Sequence, residues 1–261
     1  MGLREGSLRS LMTPNERADD GLVNVVFHHM LQALDYISTE GIIHRDVKPE
    51  NILYEIVDDH YIFQLADFGL CNDVGVAATE GKGSPLYMAP EVFHFREVLT
   101  HKVDMWSLFV TLLDMIFPNL RHSEFKDKDD DIHRSIIDYA RTVDEIKPIR
   151  EAANFYPKNR ASAAQMLVKF FRGAGMTTPW NEVPEMKPWE DRFVPKHEMN
   201  AFQAPNRWHP AGAGPAIGNI PQRHGIWGNA FVREGRKRGA ARQFRSPGTL
   251  KYRLHNIIED P

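Results

Sequence analysis

The sequence predicts a mainly helical α+β domain with small β-hairpins, followed by a disordered tail. Apolar residues recur at helical spacing over residues 22–37, which predicts a long amphipathic helix. Residues 103–117 are almost wholly apolar and predict a buried central helix. Residues 52–56 and 61–66 flank the turn VDDH and predict a β-hairpin. Helical segments outweigh strands, so the fold class is mainly α.

Several predicted elements carry recognisable ends. Asp19 and Asp20 stand where a helix N-cap is favoured, and Gly41 is a natural stop because glycine enters the left-handed region at little cost. Ser162 and Gln165 have the spacing of a capping box and predict a further helix start. The segments DDDIHRSIIDYA and VDEIKPIREAA predict two shorter amphipathic helices before it.

A change in composition marks the end of the domain. After Met176, Pro, Gly, Arg and Trp recur without helical or strand period, which is typical of disorder. We therefore predict a domain over residues 1–175 and a largely disordered tail over residues 176–261, segments of which could dock on the domain. The basic run at residues 233–245 fits a nuclear-localisation or nucleic-acid contact, but we favour a solvated tail.

The composition of the sequence restricts where in the cell the protein is expected and what it is expected to bind. The net charge of −3 gives no global argument for binding nucleic acid or a membrane, and no apolar run is long enough to span one. The single cysteine, Cys71, excludes an internal disulfide framework and fits a reducing environment. We therefore expect an intracellular protein, in the cytoplasm or nucleus, with neither a membrane nor nucleic acid as a partner.

Four motifs follow one another along the domain. They are IIHRDVKPENIL at residues 42–53, ADFGL at 66–70, GSPLYMAPE at 83–91 and KVDMWSL at 102–108. In this order they resemble the serine/threonine branch of the eukaryotic protein kinases, over roughly residues 5–173. The resemblance implies the helical large lobe of a kinase, with ATP and Mg²⁺ as cofactors and a Ser or Thr hydroxyl of a protein as the acceptor.

The resemblance also implies catalytic roles. Asp46 would accept or orient the proton of the substrate hydroxyl, and Lys48 would place a positive charge beside the transferred phosphoryl group. Asn51 and Asp67 offer the oxygen ligands that Mg²⁺ prefers. Leu53 would form the floor of the adenine pocket, and an ordinary place in the strand core is an equal alternative.

Other positions would organise the lobe. Glu91 and Arg160 match the family's buried ion pair, and Asp104 would accept hydrogen bonds from the backbone of His44 and Arg45. His44 and Phe68 would stack as two members of the family's hydrophobic spine.

The activation segment would run over residues 67–91. Arg45 implies a segment that is ordered by a phosphate, since a phosphate can pair with this arginine. Glu80 stands where the phosphorylated residue often lies and could replace the phosphate; Thr79 as the real phosphosite is an equal alternative. Ser84, together with Lys48, favours a Ser or Thr acceptor over Tyr.

Two acids could set substrate preference. Glu50 and Asp114 fall where some family members bind a basic residue upstream of the acceptor. This suggests a basic preference, although unrelated surface acids are the favoured interpretation.

The sequence shows neither a glycine-rich phosphate loop nor a strand lysine before the first helix. We therefore expect the large lobe alone, a truncated kinase whose activity as this chain is doubtful. A non-catalytic interaction module, or a lobe completed by a partner that covers the small-lobe face, is the alternative. A small-molecule phosphotransferase is disfavoured, because GSPLYMAPE and Arg160 match a kinase that binds peptide substrates.

Overall fold

The computed structural model of the chain describes residues 5–13, 16–73, 84–94, 99–117 and 129–193. These ranges contain six α-helices and several short 3-10 helices. The α-helices are α1 (Leu8–Leu11), α2 (Asp20–Thr39), α3 (Pro90–His94), α4 (Lys102–Ile116), α5 (Asp129–Thr142) and α6 (Ala163–Phe171). The described part is mainly helical, as predicted, with a three-stranded and a two-stranded sheet.

The first long helix, α2, begins and ends close to the predicted positions. The side chain of Asp19 caps it by accepting a hydrogen bond from the backbone N–H of Gly21. Gly41, two residues after the last helical residue, has a φ of +73°, a conformation that favours glycine. The helix buries an apolar face against α4 and α6, and so forms one wall of the core.

The central helix, α4, is buried from its second residue to its last. Every residue from Val103 to Ile116 is classed as buried, including Asp104 and Asp114. A helix that is apolar on all sides can only be stable when other elements surround it. Here α2, the 3-10 helix Pro85–Tyr87 and the 3-10 helix Asp144–Ala153 pack on it, so α4 is the axis of the core.

Two small sheets hold the polar loops. In the larger sheet, β3 (Ile52–Val57) pairs antiparallel with β4 (His60–Leu65) and with β1 (Gly6–Ser7). The turn between β3 and β4 has positive φ at Asp58 and at Asp59, as a two-residue type I′ hairpin turn requires. In the smaller sheet, β2 (Ile42–Ile43) pairs with β5 (Asn72–Asp73). The pairings fix both ends of the loop between β2 and β3 and of the segment between β4 and β5.

The last helices differ in one respect from the sequence prediction. α6 begins with the predicted capping box, in which Ser162 and Gln165 satisfy each other's backbone N–H. The segment Asp144–Ala153 forms a 3-10 helix where we predicted an amphipathic helix. Pro148 lies inside it, and a proline removes one backbone donor and clashes with the preceding turn of an α-helix.

Residues 177–193 lie against the domain. Buried Asp35 accepts hydrogen bonds from the N–H groups of Thr177 and Thr178 and from the Thr178 hydroxyl, at 2.6–3.0 Å. Further along, Gln165 donates to the carbonyls of Pro184 and Glu185. Segments of the chain beyond residue 175 therefore dock on the domain. Residues 194–261 of the predicted tail lie outside the described residues.

Within the described ranges, no helix has both the length and the apolar character that crossing a membrane would require.

Candidate active site

The loop between β2 and β3 starts with a backbone that Asp104 holds in place. Asp104, buried in the first turn of α4, accepts the N–H of His44 at 2.9 Å and that of Arg45 at 2.8 Å. Arg45 has a φ of +72°, in the left-handed region that costs a non-glycine residue roughly 1–2 kcal/mol. The two hydrogen bonds stabilise this turn. Burial raises the pKa of Asp104 to about 6, although both backbone donors act to lower it.

His44 joins this loop to the Asp67 segment. Its Nε2 donates to the carbonyl of Ala66 at 2.9 Å, and its Nδ1 accepts the N–H of Asp46 at 3.3 Å. These partners require the neutral imidazole with its proton on Nε2, and burial lowers the pKa of His44 in agreement. The ring also lies edge-on to Phe68, with centroids 4.9 Å apart. The structure therefore brings the predicted pair of His44 and Phe68 together.

Asp46, Lys48 and Asn51 converge on a single carboxylate oxygen. Lys48 Nζ lies 2.6 Å and Asn51 Nδ2 lies 2.8 Å from Asp46 Oδ2. Asn51 also donates to the backbone carbonyl of Asp46 at 2.9 Å. Among the described residues, Asp46 Oδ1 accepts no hydrogen bond. One oxygen is therefore fixed by a cation and an amide, while the other remains able to accept a proton.

Asp67 stands at the start of the neighbouring segment. Its φ is +62°, and its Oδ1 accepts the N–H of Gly69 at 3.3 Å. The carbonyl of Asn51 accepts the N–H of Ala66 at 2.8 Å, which connects the two segments immediately before Asp67. Leu53 is half-buried on β3, opposite Gln64 of β4 and Ser7 of β1. The contacts of Leu53 leave both interpretations of this residue open.

The donor chemistry of the site fits Mg²⁺. The amide nitrogen of Asn51 is used by Asp46, so its oxygen is the atom that could bind a cation. No hydrogen bond from a described residue reaches Asn51 Oδ1 or Asp67 Oδ2. The described residues form no group of three His, Cys, Asp or Glu side chains suited to a metal. Nucleotide-dependent Mg²⁺ sites commonly use one or two protein ligands together with phosphate oxygens, so Asn51 and Asp67 would be enough.

Glu91 and Arg160 form the ion pair that the sequence predicts. Arg160 Nη1 and Nη2 lie 2.6 and 2.9 Å from the two carboxylate oxygens of Glu91. The remaining N–H groups of Arg160 donate to the carbonyls of Asn154, Lys102 and Phe155. All five guanidinium N–H groups thus have an acceptor. The pair connects α3, at the end of the predicted activation segment, to the loop before α6.

The segment that begins at Ser84 is hydrogen-bonded both to Lys48 of the site and to the helices of the core. Ser84 Oγ accepts a hydrogen bond from Lys48 Nζ at 3.3 Å. The hydroxyl of Ser107, on α4, donates to the carbonyl of Tyr87 at 2.7 Å, and His133 Nε2 donates to the carbonyl of Met88 at 3.0 Å. The predicted pairing of Arg45 with Glu80 involves residues 74–83, which lie outside the described residues. The chemical roles of all these residues stay predictions.

Sequence reasoning missed Arg9, which bridges three distant parts of the site. Its guanidinium contacts Glu50 at 3.0 Å, the Tyr87 hydroxyl at 3.0 Å and Asp114 at 2.5 Å. The partners are 41 to 105 positions away in the sequence, so no local pattern could reveal them. The two acids that suggested a basic substrate preference are therefore connected by an internal arginine.

The fold and the site define a class: a helical lobe of the kinase type, with its polar loop between β2 and β3. The family profile described as "Protein kinase domain" matches residues 2–172, about two thirds of the chain. The chain therefore belongs to the eukaryotic protein kinase family.

Individual relatives are serine/threonine-protein kinases. Lok of Drosophila melanogaster, an ovarian-specific kinase, is 36% identical over 126 residues, covering 47% of this chain and 26% of Lok. The shk1/pak1 kinase of Schizosaccharomyces pombe is 34% identical over 117 residues, covering 44% and 17%. STE20 of Kluyveromyces lactis is 38% identical over 100 residues, covering 37% and 10%. The similarity thus spans about a quarter or less of these relatives.

Proposed function

We propose that the chain forms the large lobe of a serine/threonine protein kinase, which transfers the γ-phosphoryl group of ATP to a Ser or Thr hydroxyl of a protein. One observation carries the proposal: Lys48 and Asn51 both bind Asp46 Oδ2, while Asp46 Oδ1 accepts nothing from the described residues. This arrangement orients a carboxylate and keeps one oxygen ready for a substrate proton. The names of the relatives support the choice of Ser and Thr.

Phosphoryl transfer requires little covalent chemistry from a protein, and depends on positioning and on stabilising charge. Asp46 would orient the acceptor hydroxyl and take its proton through Oδ1. Lys48, which touches both Asp46 and Ser84, would place its ammonium between the carboxylate and the peptide segment. Asn51 and Asp67 would hold Mg²⁺, and this ion, when bound, would neutralise charge on the phosphate oxygens.

The test is phosphate incorporation from radiolabelled ATP into a mixed pool of serine and threonine peptides. Asp46→Asn keeps the size of the side chain but removes its basicity, and should lower the rate by about 10²–10⁴-fold. Asp59→Asn, the same exchange in the exposed hairpin turn, is the matched control and should leave the rate unchanged. Equal rates for Asp46→Asn and the wild type would contradict the assignment of Asp46.

A second candidate is a lobe that another polypeptide segment completes. Phe68 packs on His44, yet 42% of its surface is exposed beside the site. Exposed apolar surface next to a polar site commonly marks a contact surface. No phosphate incorporation by a correctly folded protein, with activity restored when a small-lobe partner is added, would favour this candidate. A location inside the cell, in the cytoplasm or nucleus, belongs to the same proposal.

A further inference from the structure

Two buried amide side chains of the domain bind the backbone of residues 183–193, which we call the strap. Gln165, in the first turn of α6, donates to the carbonyls of two adjacent strap residues at 2.9 and 3.0 Å. Asn154, which is 1% exposed, donates to the carbonyl of Pro188 at 3.2 Å and accepts the N–H of Glu190 at 2.7 Å. These contacts use main-chain atoms, so they hold an extended segment independently of its side chains.

The strap has the three-residue repeat of a polyproline II helix. Val183, Met186 and Trp189 are half-buried, and the two residues between each of them are exposed. Pro184 and Pro188 favour this conformation for themselves and for the residue before each. A polyproline II helix has no internal hydrogen bonds, so its carbonyl groups remain available to the two amides.

The surface that carries the strap binds two aromatic side chains. Arg150 Cζ lies 5.0 Å from the ring centroid of Trp189, and Arg134 Cζ lies 5.0 Å from that of Phe193. Buried Phe155 packs edge-on to Phe193, with centroids 5.7 Å apart. A guanidinium group is attracted to the face of an aromatic ring, so these two positions favour aromatic residues. We call this surface, from α5 through the 3-10 helix to the start of α6, the strap site.

The charges of the strap and of the strap site are complementary. Arg141, on α5, contacts both carboxylate oxygens of Asp191 at 2.6–2.8 Å. Asn159 donates to the carboxylate of Glu190 at 2.7 Å and accepts a hydrogen bond from Lys187 Nζ at 3.0 Å. The site therefore fits a basic residue before the tryptophan and two acids after it.

We propose that the strap site is a recognition site for an extended peptide of the polyproline II type, and that this chain fills it with its own strap. The ligand has the pattern of residues 187–193: a basic residue, proline, an aromatic residue, two acids and, after one further residue, a second aromatic residue. The kinase profile ends at residue 172, before the strap, so the site is separate from the proposed catalytic function.

The strap is bound as a tethered ligand. It forms neither helix nor strand, and individual side chains of the domain hold it. A few residues before it, the Thr178 hydroxyl donates to buried Asp35 at 2.6 Å, which fixes the start of the tether. A short tether keeps a ligand at an effective concentration of about 1 mM. A free peptide should therefore bind well only after the strap has lost its own aromatic side chains.

Peptide binding to the full-length protein tests the proposal. The double variant Trp189→Ala with Phe193→Ala should leave the strap site empty, and a fluorescein-labelled peptide of residues 183–193 should bind it with a micromolar Kd in fluorescence anisotropy. The wild type should bind this peptide at least about tenfold more weakly, because its tethered strap competes. A peptide with both aromatic residues changed to alanine should bind neither protein. Trp180→Ala, which removes a tryptophan that is 62% exposed and lies outside the strap, is the matched control and should behave as the wild type.

Equal affinity of the wild type and the double variant for the peptide would overturn the proposal. A double variant that does not fold would also overturn it, since the strap would then be part of the core and not an exchangeable ligand.

Arg141→Glu, added to the double variant, tests where the peptide binds. Both side chains of the pair of Arg141 with Asp191 are more than 40% exposed, so this change should leave folding intact. The peptide should bind about fivefold more weakly, and a peptide with Asp191→Lys should recover the loss. Unchanged affinity for the original peptide would place it elsewhere on the protein and refute the strap site.

Discussion

Glu91→Ala is expected to lower the free energy of unfolding by about 3–5 kcal/mol, because it leaves a buried guanidinium without its counter-ion. Arg160 is 1% exposed and Glu91 is 3% exposed, so water cannot replace the lost carboxylate. The cation also lies over the ring of Trp106, with 5.1 Å from Cζ to the centroid, which fixes it against the central helix. The charge would therefore stay buried and uncompensated.

Urea denaturation followed by circular dichroism measures this effect. Asp138→Ala is the matched control, because Asp138 pairs with Arg141 at 2.6 Å while both side chains are more than 40% exposed. Exposed pairs of this kind contribute roughly 0–1 kcal/mol. A loss for Glu91→Ala no larger than that of the control would show that the pair of Glu91 and Arg160 does not stabilise the fold.

Asp104→Ala is expected to have the second largest effect on stability. It removes the shared acceptor of the His44 and Arg45 N–H groups, and an unsatisfied buried donor costs about 1–3 kcal/mol. The left-handed backbone of Arg45 would also lose its support, so the loop between β2 and β3 should loosen. Thr111→Val, on the same helix and also buried, removes only a hydroxyl that donates to the Ser107 carbonyl within the helix, and is the control. Equal losses for both variants would contradict the role given to Asp104.

The difference in stability between the wild type and Asp104→Ala should change with pH in one direction. The pKa of Asp104 is about 6 in the folded state and 3.8 in its unperturbed state, so the folded state binds more protons between these values. Stability from this group therefore falls as the pH rises through that window. The stability gap between the wild type and Asp104→Ala should narrow by about 1 kcal/mol from pH 5 to pH 7.5. A gap that widens with pH would mean that burial does not dominate the titration of Asp104.

Short sequence patterns predicted the elements that depend on interactions between residues close in the sequence. The β3–β4 hairpin follows from a two-residue turn between short strands, and the start of α6 follows from a capping box within four residues. The central helix follows from a stretch of the sequence that is almost wholly apolar. The motifs also indicated which polar residues to expect together, and the structure places Asp46, Lys48 and Asn51 within hydrogen-bonding distance.

The rest depends on contacts between distant residues or on a single residue that overrides a pattern. Arg9 contacts Asp114, which lies 105 positions away in the sequence, and the spacing of neither residue predicts this contact. The ordered stretch 177–193 has no helical or strand period because single contacts hold it: Thr178 bonds to Asp35, and Met186, Trp189 and Phe193 pack against the core. The segment Asp144–Ala153 has the apolar spacing of the predicted amphipathic helix. It forms a 3-10 helix instead, because Pro148 lies inside it.

Thermal unfolding of the 261-residue protein with and without Mg-ATP tests the central claim most directly. The account predicts a rise in melting temperature that requires Mg²⁺ together with ATP, that is lost in Asp67→Asn, and that persists in Asp59→Asn. A cooperatively unfolding wild-type sample that shows no Mg²⁺-dependent rise would contradict a nucleotide site at Asn51 and Asp67.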